Sequence, residues 1–393
     1  MTLINSSATD LLSRVTHALP TIESHAVWSD ENRRLHEDTL AVLADSGALR
    51  MRIPTRYGGI EADFRTASDV VGEIAGADGA AGWNTAVWSM CSWLAGLFPD
   101  TVQDEVFADG DVRVCGVLSP TAMAHPDGGD LVLDGRWAFV SGALHSQWQV
   151  AIAMAPTPDG SSMWPVMAMV PMSDLQIVDD WYSAGLRGTG SVSTVASAVR
   201  VPMTRVVPMP LVLSEQYATE LNTASALWRV PMIATGCGSF AGVAVGVARA
   251  AMAGFHERLG DRKITYTEYE SQREAPVTHL RVAEAAYLID ESVFHAHRLA
   301  SMLDRKGVAG EFWDVRDRVA ARAALGRVFR LAQQAVDTLA AGSGGTSLYS
   351  SVAIQRIRRD VQALNLHALM HADTNAELYG RVLLGLEPNS AYL

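Results

Sequence analysis

The feature that most restricts this chain is a double switch of hydrophobic period. Apolar residues at helical spacing fill both ends, and a block of short Val-, Ile- and aromatic-rich segments lies between them. Within the block, about 111 to 212, the segments read VRVCGVL, DLVLDGRWAFVSG, WQVAIAMA, MWPVMAMVP and STVASAVRVP, separated by Asp-Gly, Pro-Asp-Gly and Gly-Gly. Branched and aromatic residues favour strands and such pairs favour tight turns, which predicts an antiparallel sheet or barrel. Ahead of it, DENRRLHEDTLAVLADSGALR (30–50) has helical periodicity closed by Ser46-Gly47, and Pro54 with Tyr57-Gly58-Gly59 then breaks the pattern. Behind it, LRVAEAAYLIDESVFHAHRLASMLD and DVRDRVAARAALGRVFRLAQQAVDTLAA predict two long helices. Gly342-Ser343-Gly344-Gly345 ends the second, and a third helix is expected from Val352 to about His371. The pattern divides the chain into an N-terminal helical domain (1–110), a central β-domain (111–215) and a C-terminal helical bundle (216–393). A β-layer between helical units creates junction clefts, where ligand sites tend to lie.

Composition narrows the function. With 49% hydrophobic and 19% charged residues in 393, the chain can bury a large core. A formal charge of -12 and the lack of a basic stripe argue against a nucleic-acid partner. Two uncharged runs, Ala81 to Pro99 and Val230 to Ala248, approach membrane-spanning length. Asn84, Thr85 and several Ser in the first, and the glycines of the second, favour helices buried in a bundle, with no membrane role. Cys91, Cys115 and Cys237 lie far apart and form no CxxC pair, which suggests a reducing compartment. The opening MTLINSSATDLL has no signal-peptide pattern, so a cytoplasmic location is expected. Gly236-Cys237-Gly238 is not a dinucleotide fingerprint, since it follows a helix-like segment and its third glycine is misplaced at Gly242.

Several motifs, in order, resemble the acyl-CoA dehydrogenase superfamily. They are Arg52-Ile53-Pro54 through Tyr57-Gly58-Gly59; Gly135-Arg136-Trp137-Ala138-Phe139-Val140-Ser141-Gly142; Gly185-Leu186-Arg187-Gly188-Thr189-Gly190-Ser191; Val201-Pro202; and Gln355-Arg356-Ile357-Arg358-Arg359-Asp360. Five modest motifs over the whole chain make a strong signal. The resemblance implies an N-terminal helical domain, a β-barrel domain and a C-terminal four-helix bundle, usually assembled as a tetramer, with a dimer as the fallback. A true dehydrogenase needs a carboxylate base near a thioester, and in many members a Glu follows the Arg-Asp helix. Here Val361-Gln362-Ala363-Leu364-Asn365-Leu366-His367-Ala368 contains none. His367 instead stands where the flavin-dependent two-component monooxygenases of this fold carry a His. Such enzymes are oxygenase components. They take reduced flavin (FADH2 or FMNH2) from a separate NAD(P)H-dependent flavin reductase, form a flavin hydroperoxide with O2, and oxygenate a small aromatic or heteroatom-containing substrate. An acyl-CoA dehydrogenase with its base on another helix stays open, as does a scaffold that has lost the flavin.

The resemblance nominates particular residues. His367 is the expected acid/base and Ser141 the hydroxyl at the flavin's reactive edge. A dry pocket suits the chemistry, and the Trp- and Met-rich run including Trp83, Trp88, Met90 and Trp93 supplies candidates for its walls. Flavin contacts are expected at Ser119, Trp137, Phe139 and Gly142, with Arg262 toward the phosphate and Gly344-Gly345 near a neighbouring subunit's flavin. Relatives that hydroxylate phenols often carry a second His in the helix corresponding to Ala81–Phe98, where Cys91 falls here; an indole or an acidic polyphenol then becomes more plausible as substrate. Blander alternatives stand beside these: a structural imidazole for His367, a strand end for Ser141 and Ser119, a surface cation for Arg262, a helix cap for Gly344-Gly345, and plain core for the tryptophans. His367 and His371 have the i, i+4 spacing of a metal pair, but no further ligand cluster supports a metal, and none is expected.

Overall fold

The computed structural model describes residues 6–260 and 262–393. The N-terminal part consists of α1 (Ser6–Ser24), α2 (Ala26–Asn32), α3 (Glu37–Ser46), α4 (Phe64–Ala77), α5 (Gly79–Ala95) and α6 (Asp100–Val106). The periodic segment 30–50 is therefore broken: Arg33 takes a left-handed conformation with φ 57°, α2 stops, and His36 caps α3 by accepting from the Asp38 amide. Gly47, with φ 83°, ends α3 as the Ser-Gly pair foretold.

The strands are β1 (Val114–Gly116), β2 (Ala122–Asp127), β3 (Asp130–Trp137), β4 (Trp148–Pro156), β5 (Met163–Pro171), β6 (Gln176–Val178), β7 (Ser193–Pro202) and β8 (Val206–Pro208). They form one sheet in the order β6-β7-β3-β2-β4-β5-β8, with β1 also on β4. Most pairings are antiparallel as expected, but β1 and β2 both run parallel to β4. The sheet has a small core of its own around Leu133, Trp137, Ala151, Ala153, Ala168 and Val170.

The chain then returns to helices: α7 (Met209–Leu213), α8 (Met232–Glu257), α9 (Pro276–Ala309), α10 (Val315–Gly342), α11 (Ala353–Asn365) and α12 (Ala372–Leu383). Helices α8 to α11 make the C-terminal bundle, and α12 packs on α10. Both uncharged runs are core helices. α5 is buried along nearly its whole length, and α8, although long and apolar enough to cross a membrane, has most of its apolar stretch buried in the fold. α8 packs closely on α4, so the N-terminal and C-terminal helices share one hydrophobic core. The helix expected to reach His371 stops at Asn365; His367 lies in the turn that follows, and His371 caps α12.

Candidate active site

Three parts of the chain meet at Trp83. Asp78 caps α5 by accepting from the Ala80 amide at 3.2 Å, and this sets Trp83 one turn inside the helix. The indole N–H of Trp83 donates to Ser141 Oγ of the β-domain at 2.9 Å. The ring meets the His367 imidazole edge-on at 5.3 Å and packs against Phe240 of α8 at 5.0 Å. Ser141 and His367, 226 positions apart in sequence, are thus brought to one side chain.

Ser141 sits on an irregular segment after β3 that is held by the loop before β7. Val140 N donates to Val192 O at 3.0 Å, and Gly142 N to Thr189 O at 3.1 Å. That same carbonyl accepts from the Asn84 side chain of α5 at 3.1 Å. Phe139 has φ 63°, which turns its ring out of the strand to 68% exposure, edge-on to Trp181. Gly142 has φ 72°, and a Cβ there would stand 2.5 Å from Trp88 Nε1. Its glycine is thus required by backbone conformation and by the close approach of α5. The Ser141 hydroxyl also bonds Ser191 Oγ at 2.7 Å, and Ser191 bonds Thr189 Oγ1 at 2.6 Å.

His367 remains open to solvent along one side, yet the protein packed around it holds its imidazole below the ordinary range, pushed down to about 4. The ring is therefore neutral at pH 7. Its Nδ1 accepts the Leu369 amide at 3.2 Å. A neutral imidazole whose Nδ1 accepts carries its proton on Nε2, so the ring presents one N–H donor beside Trp83 and Phe240.

Other nominated residues lie elsewhere. Trp93 is fully buried, its N–H donating to Leu227 O at 3.1 Å, and it ties α5 to the turn before α8 rather than facing His367. Trp137 is likewise core: its N–H donates to Ile152 O at 2.7 Å inside the sheet, leaving no surface for a cofactor. Cys91 is buried against Gly116 of β1, and burial pushes its thiol well above the ordinary value, so it is a neutral group in the wall. Ser119 is exposed just beyond β1. A cleft of about 900 Å³ runs between α9, α10 and α12, and none of the nominated residues lines it.

Arg262 and Gly344 form a second cluster. A Cβ on Gly344, whose φ is 67°, would collide with the Arg262 guanidinium. Arg258 joins them, donating to Thr346 Oγ1 at 3.0 Å, while its other terminal nitrogen, Nη1, is buried without a partner among the described residues. Among the described residues neither guanidinium pairs with a carboxylate, and burial followed by the nearby Arg258 charge lowers the Arg262 value. Two cations and an unused buried donor fit a phosphate group. From Phe240 to Arg258 is about 27 Å along the axis of α8, at roughly 1.5 Å per residue. Metal-like spacing occurs elsewhere, at His25, His36 and Asp38. There the two imidazoles stack 3.9 Å apart at 11°, so their in-plane lone pairs lie in two nearly parallel planes and do not converge on one ion.

Beneath the site lies a buried carboxyl pair. Gly79 brings Asp78 beside Asp360 of the Arg-Asp motif, and Asp360 accepts the Leu186 amide at 2.6 Å. Burial raises both groups, Asp78 to about 6 and Asp360 to about 7. An unfolded Asp loses its proton near about 4, so between these values the folded state binds more protons and the pair's contribution to stability falls as pH rises. Asp360→Asn keeps an acceptor for Leu186 and removes that titration. Denaturant unfolding at pH 5 and pH 7 should show the variant gaining roughly 2 kcal/mol on the parent over that interval. Equal pH slopes in the two proteins would show that Asp360 is ionised throughout.

Comparison with known proteins gives this geometry a setting. The acyl-CoA dehydrogenase N-terminal domain model matches residues 17–100, and the C-terminal domain model matches residues 239–372. A pigment production hydroxylase of Rhodococcus sp. (strain ATCC 21145) is 30% identical over 96% of this chain and 97% of its own. The oxygenase component of an FADH(2)-dependent resorcinol hydroxylase from Rhizobium sp. (strain MTP-10005) is also 30% identical, over 97% of this chain and 96% of its own. Among solved structures, XiaF from Streptomyces sp., in complex with FADH2 and glycerol, superposes with a TM-score of 0.93 at 28% identity, covering 98% of each chain. These relatives are oxygenating enzymes, so the acyl-CoA dehydrogenase chemistry left open by the sequence falls away. The chain belongs to the acyl-CoA dehydrogenase superfamily, and within it to the oxygenase components of two-component flavin-dependent monooxygenases, which work on reduced flavin and O2.

Proposed function

We propose that this monooxygenase hydroxylates a small electron-rich aromatic substrate, of the indole or acidic polyphenol type, in the cleft bounded by Trp83, Phe240 and His367. The observation that carries this reading is His367 held against the rings of Trp83 and Phe240, with Nδ1 occupied by the Leu369 amide so that its one donor is Nε2–H. Bound reduced flavin supplies the means to activate O2 and pass one oxygen atom on. The residues do the rest. Ser141 would contact the flavin's reactive edge, and the exposed Phe139 would lie beside it. Trp83 and Phe240 exclude water and offer flat apolar faces to an aromatic ring. His367 donates through Nε2 to the oxygen being transferred or to a substrate hydroxyl, and takes the proton back afterwards. Cys91 is neutral and faces β1, so α5 provides no base for deprotonating a phenol. That favours substrates needing no such help, although the resorcinol hydroxylase relative acts on a phenol.

A separate reductase follows from the relatives' being oxygenase components; that it draws on NAD(P)H is part of the proposal. The 27 Å or so between the two clusters supports a homotetramer, or a dimer, in which Arg258, Arg262 and the Gly344-Gly345 loop serve a neighbour's flavin phosphate. Three buried free cysteines fit a cytoplasmic location.

The test is anaerobic mixing with reduced FAD, then stopped-flow addition of oxygenated buffer with and without a panel of indoles and polyphenols. Near-ultraviolet absorbance persisting well before oxidised flavin appears, with hydroxylated product from at least one panel member, is the expected result. Oxidation as fast as free flavin, with hydrogen peroxide and no product across the panel, would overturn the reading.

A further inference from the structure

The hydroxyl groups behind Ser141 form a chain whose protons can be placed by counting. Ser141 Oγ lies 2.7 Å from Ser191 Oγ, which lies 2.6 Å from Thr189 Oγ1, which lies 2.8 Å from the Leu186 carbonyl oxygen. Oxygens this close repel unless a proton lies between them. There are three contacts and three hydroxyl protons. The last oxygen in the row is a carbonyl, which has no proton to give. Thr189 must therefore donate to Leu186, Ser191 to Thr189, and Ser141 to Ser191. At its other side Ser141 accepts the indole N–H of Trp83, a group that can only donate. The proton of Ser141 is thus committed inward and one of its lone pairs is filled. What remains for the cleft, on the 7% of this residue still exposed, is a single acceptor lone pair.

The anchor of the chain is itself held. Leu186 adopts a left-handed conformation with φ 52°, its amide donates to the buried Asp360 at 2.6 Å, and its carbonyl also receives the Trp181 indole N–H at 3.0 Å. The Leu186 peptide has no freedom to turn its oxygen away, and the polarity of the row is a fixed property of the fold.

We infer that Thr189 and Ser191 are positioning residues that make Ser141 a pure acceptor, and that they thereby select the redox state of the flavin. This rests on the contact between Ser141 and the flavin's reactive edge proposed above. The reactive ring nitrogen of a reduced flavin carries a hydrogen, and that of an oxidised flavin carries a lone pair. An acceptor-only Ser141 bonds the first and opposes the second. The site accordingly takes up reduced flavin from the reductase and releases it once oxidised.

The test is equilibrium binding of FAD in both redox states, anaerobic for the reduced one, to the purified full chain and its variants. Ser191→Ala leaves the Ser141 proton without an inward acceptor, so it turns to the cleft. Thr189→Val reaches the same end by another route, since Ser191 loses its acceptor and can donate to Ser141 instead. Each should cut the preference for reduced over oxidised FAD by about fivefold, the scale of one hydrogen bond, mainly by tightening the oxidised state. Ser146→Ala removes a hydroxyl that bonds Trp88 and the Gly142 carbonyl but lies outside the row, and should leave the ratio unchanged. An unchanged ratio in both row variants, while Ser141→Ala still weakens reduced FAD, overturns the proton assignment alone. If Ser141→Ala alters neither affinity, the contact itself is wrong and the inference goes with it.

Discussion

His367→Asn should keep its fold and its reduced flavin yet lose product formation by on the order of a hundredfold or more, the usual scale for removing a general acid/base. The choice of Asn follows from the geometry. Its amide oxygen stands close to where imidazole Nδ1 stood, so the Leu369 amide, now 3.2 Å from that nitrogen, keeps an acceptor and the turn after α11 keeps its shape. What disappears is the Nε2–H donor and part of the packing against Trp83 and Phe240. Reduced flavin should still be consumed, with hydrogen peroxide replacing hydroxylated product. Coupling within about threefold of the parent would remove His367 from the chemistry and leave it a packing residue. The pH profile adds a second check. The protein packed around one side of the imidazole pushes it down to about 4, so the folded protein holds it neutral from pH 7 down through pH 5. Loss of coupling from its protonation should begin only below that, well under the roughly 6.5 of an exposed histidine. An acidic limb near pH 6.5 that vanishes in His367→Asn would mean the ring is far wetter than its surroundings indicate.

The order helices, sheet, helices was legible because period is a local property: apolar spacing of about 3.6 or 2 is visible within a dozen residues. What escaped had non-local causes. No glycine or proline marks the break at Arg33 or the end of α11 at Asn365, so neither boundary had a local signal. β2, reading AMAHPD, is a poor strand by composition and exists because β3 and β4 flank it. At the site, Ser141 and His367 were reachable through motif resemblance, but Phe240, Thr189 and Ser191 had no signal as site residues, since their roles depend on who faces them. One misplacement could have been avoided from spacing, and a second is one that spacing itself invites. Ten residues along a helix bring Trp93 about 80° around from Trp83, so the two tryptophans were bound to face different neighbours. Strand alternation puts Trp137, Phe139 and Ser141 on one face. The left-handed backbone at Phe139 breaks that alternation, sending one ring into the sheet and the other out to the surface.

Gly242→Ala and Gly246→Ala should each destabilise the protein by about 3 kcal/mol, the upper part of the usual overpacking range. The reason lies in the seam between α4 and α8. Gly242 and Gly246, one turn apart on α8, face Gly72 and Gly76, one turn apart on α4, and the two backbones touch. A Cβ at 242 would fall on the Ser68 carbonyl and 3.1 Å from Gly72 N. At 246 it would fall on the Gly72 carbonyl and 2.8 Å from both the Ala75 methyl and Gly76 N. These obstacles are mostly backbone, so no side-chain rotation relieves them and the helices must part. Intrinsic helix propensity works the other way, favouring Ala over Gly by about 1 kcal/mol, so the clash has to outweigh a gain. Gly254, on the same helix with nothing within 4 Å of its missing Cβ, isolates that gain. Gly254→Ala should raise the denaturation midpoint while the seam variants lower it. Because Phe240 stands one residue pair before the seam begins, parting the helices also shifts the ring that backs Trp83. Partially folded seam variants should therefore bind reduced flavin more weakly than their remaining stability alone would give. Seam variants that melt with Gly254→Ala would mean the helices have slack here, and the close approach of α4 and α8 would then have no part in holding the aromatic wall of the site.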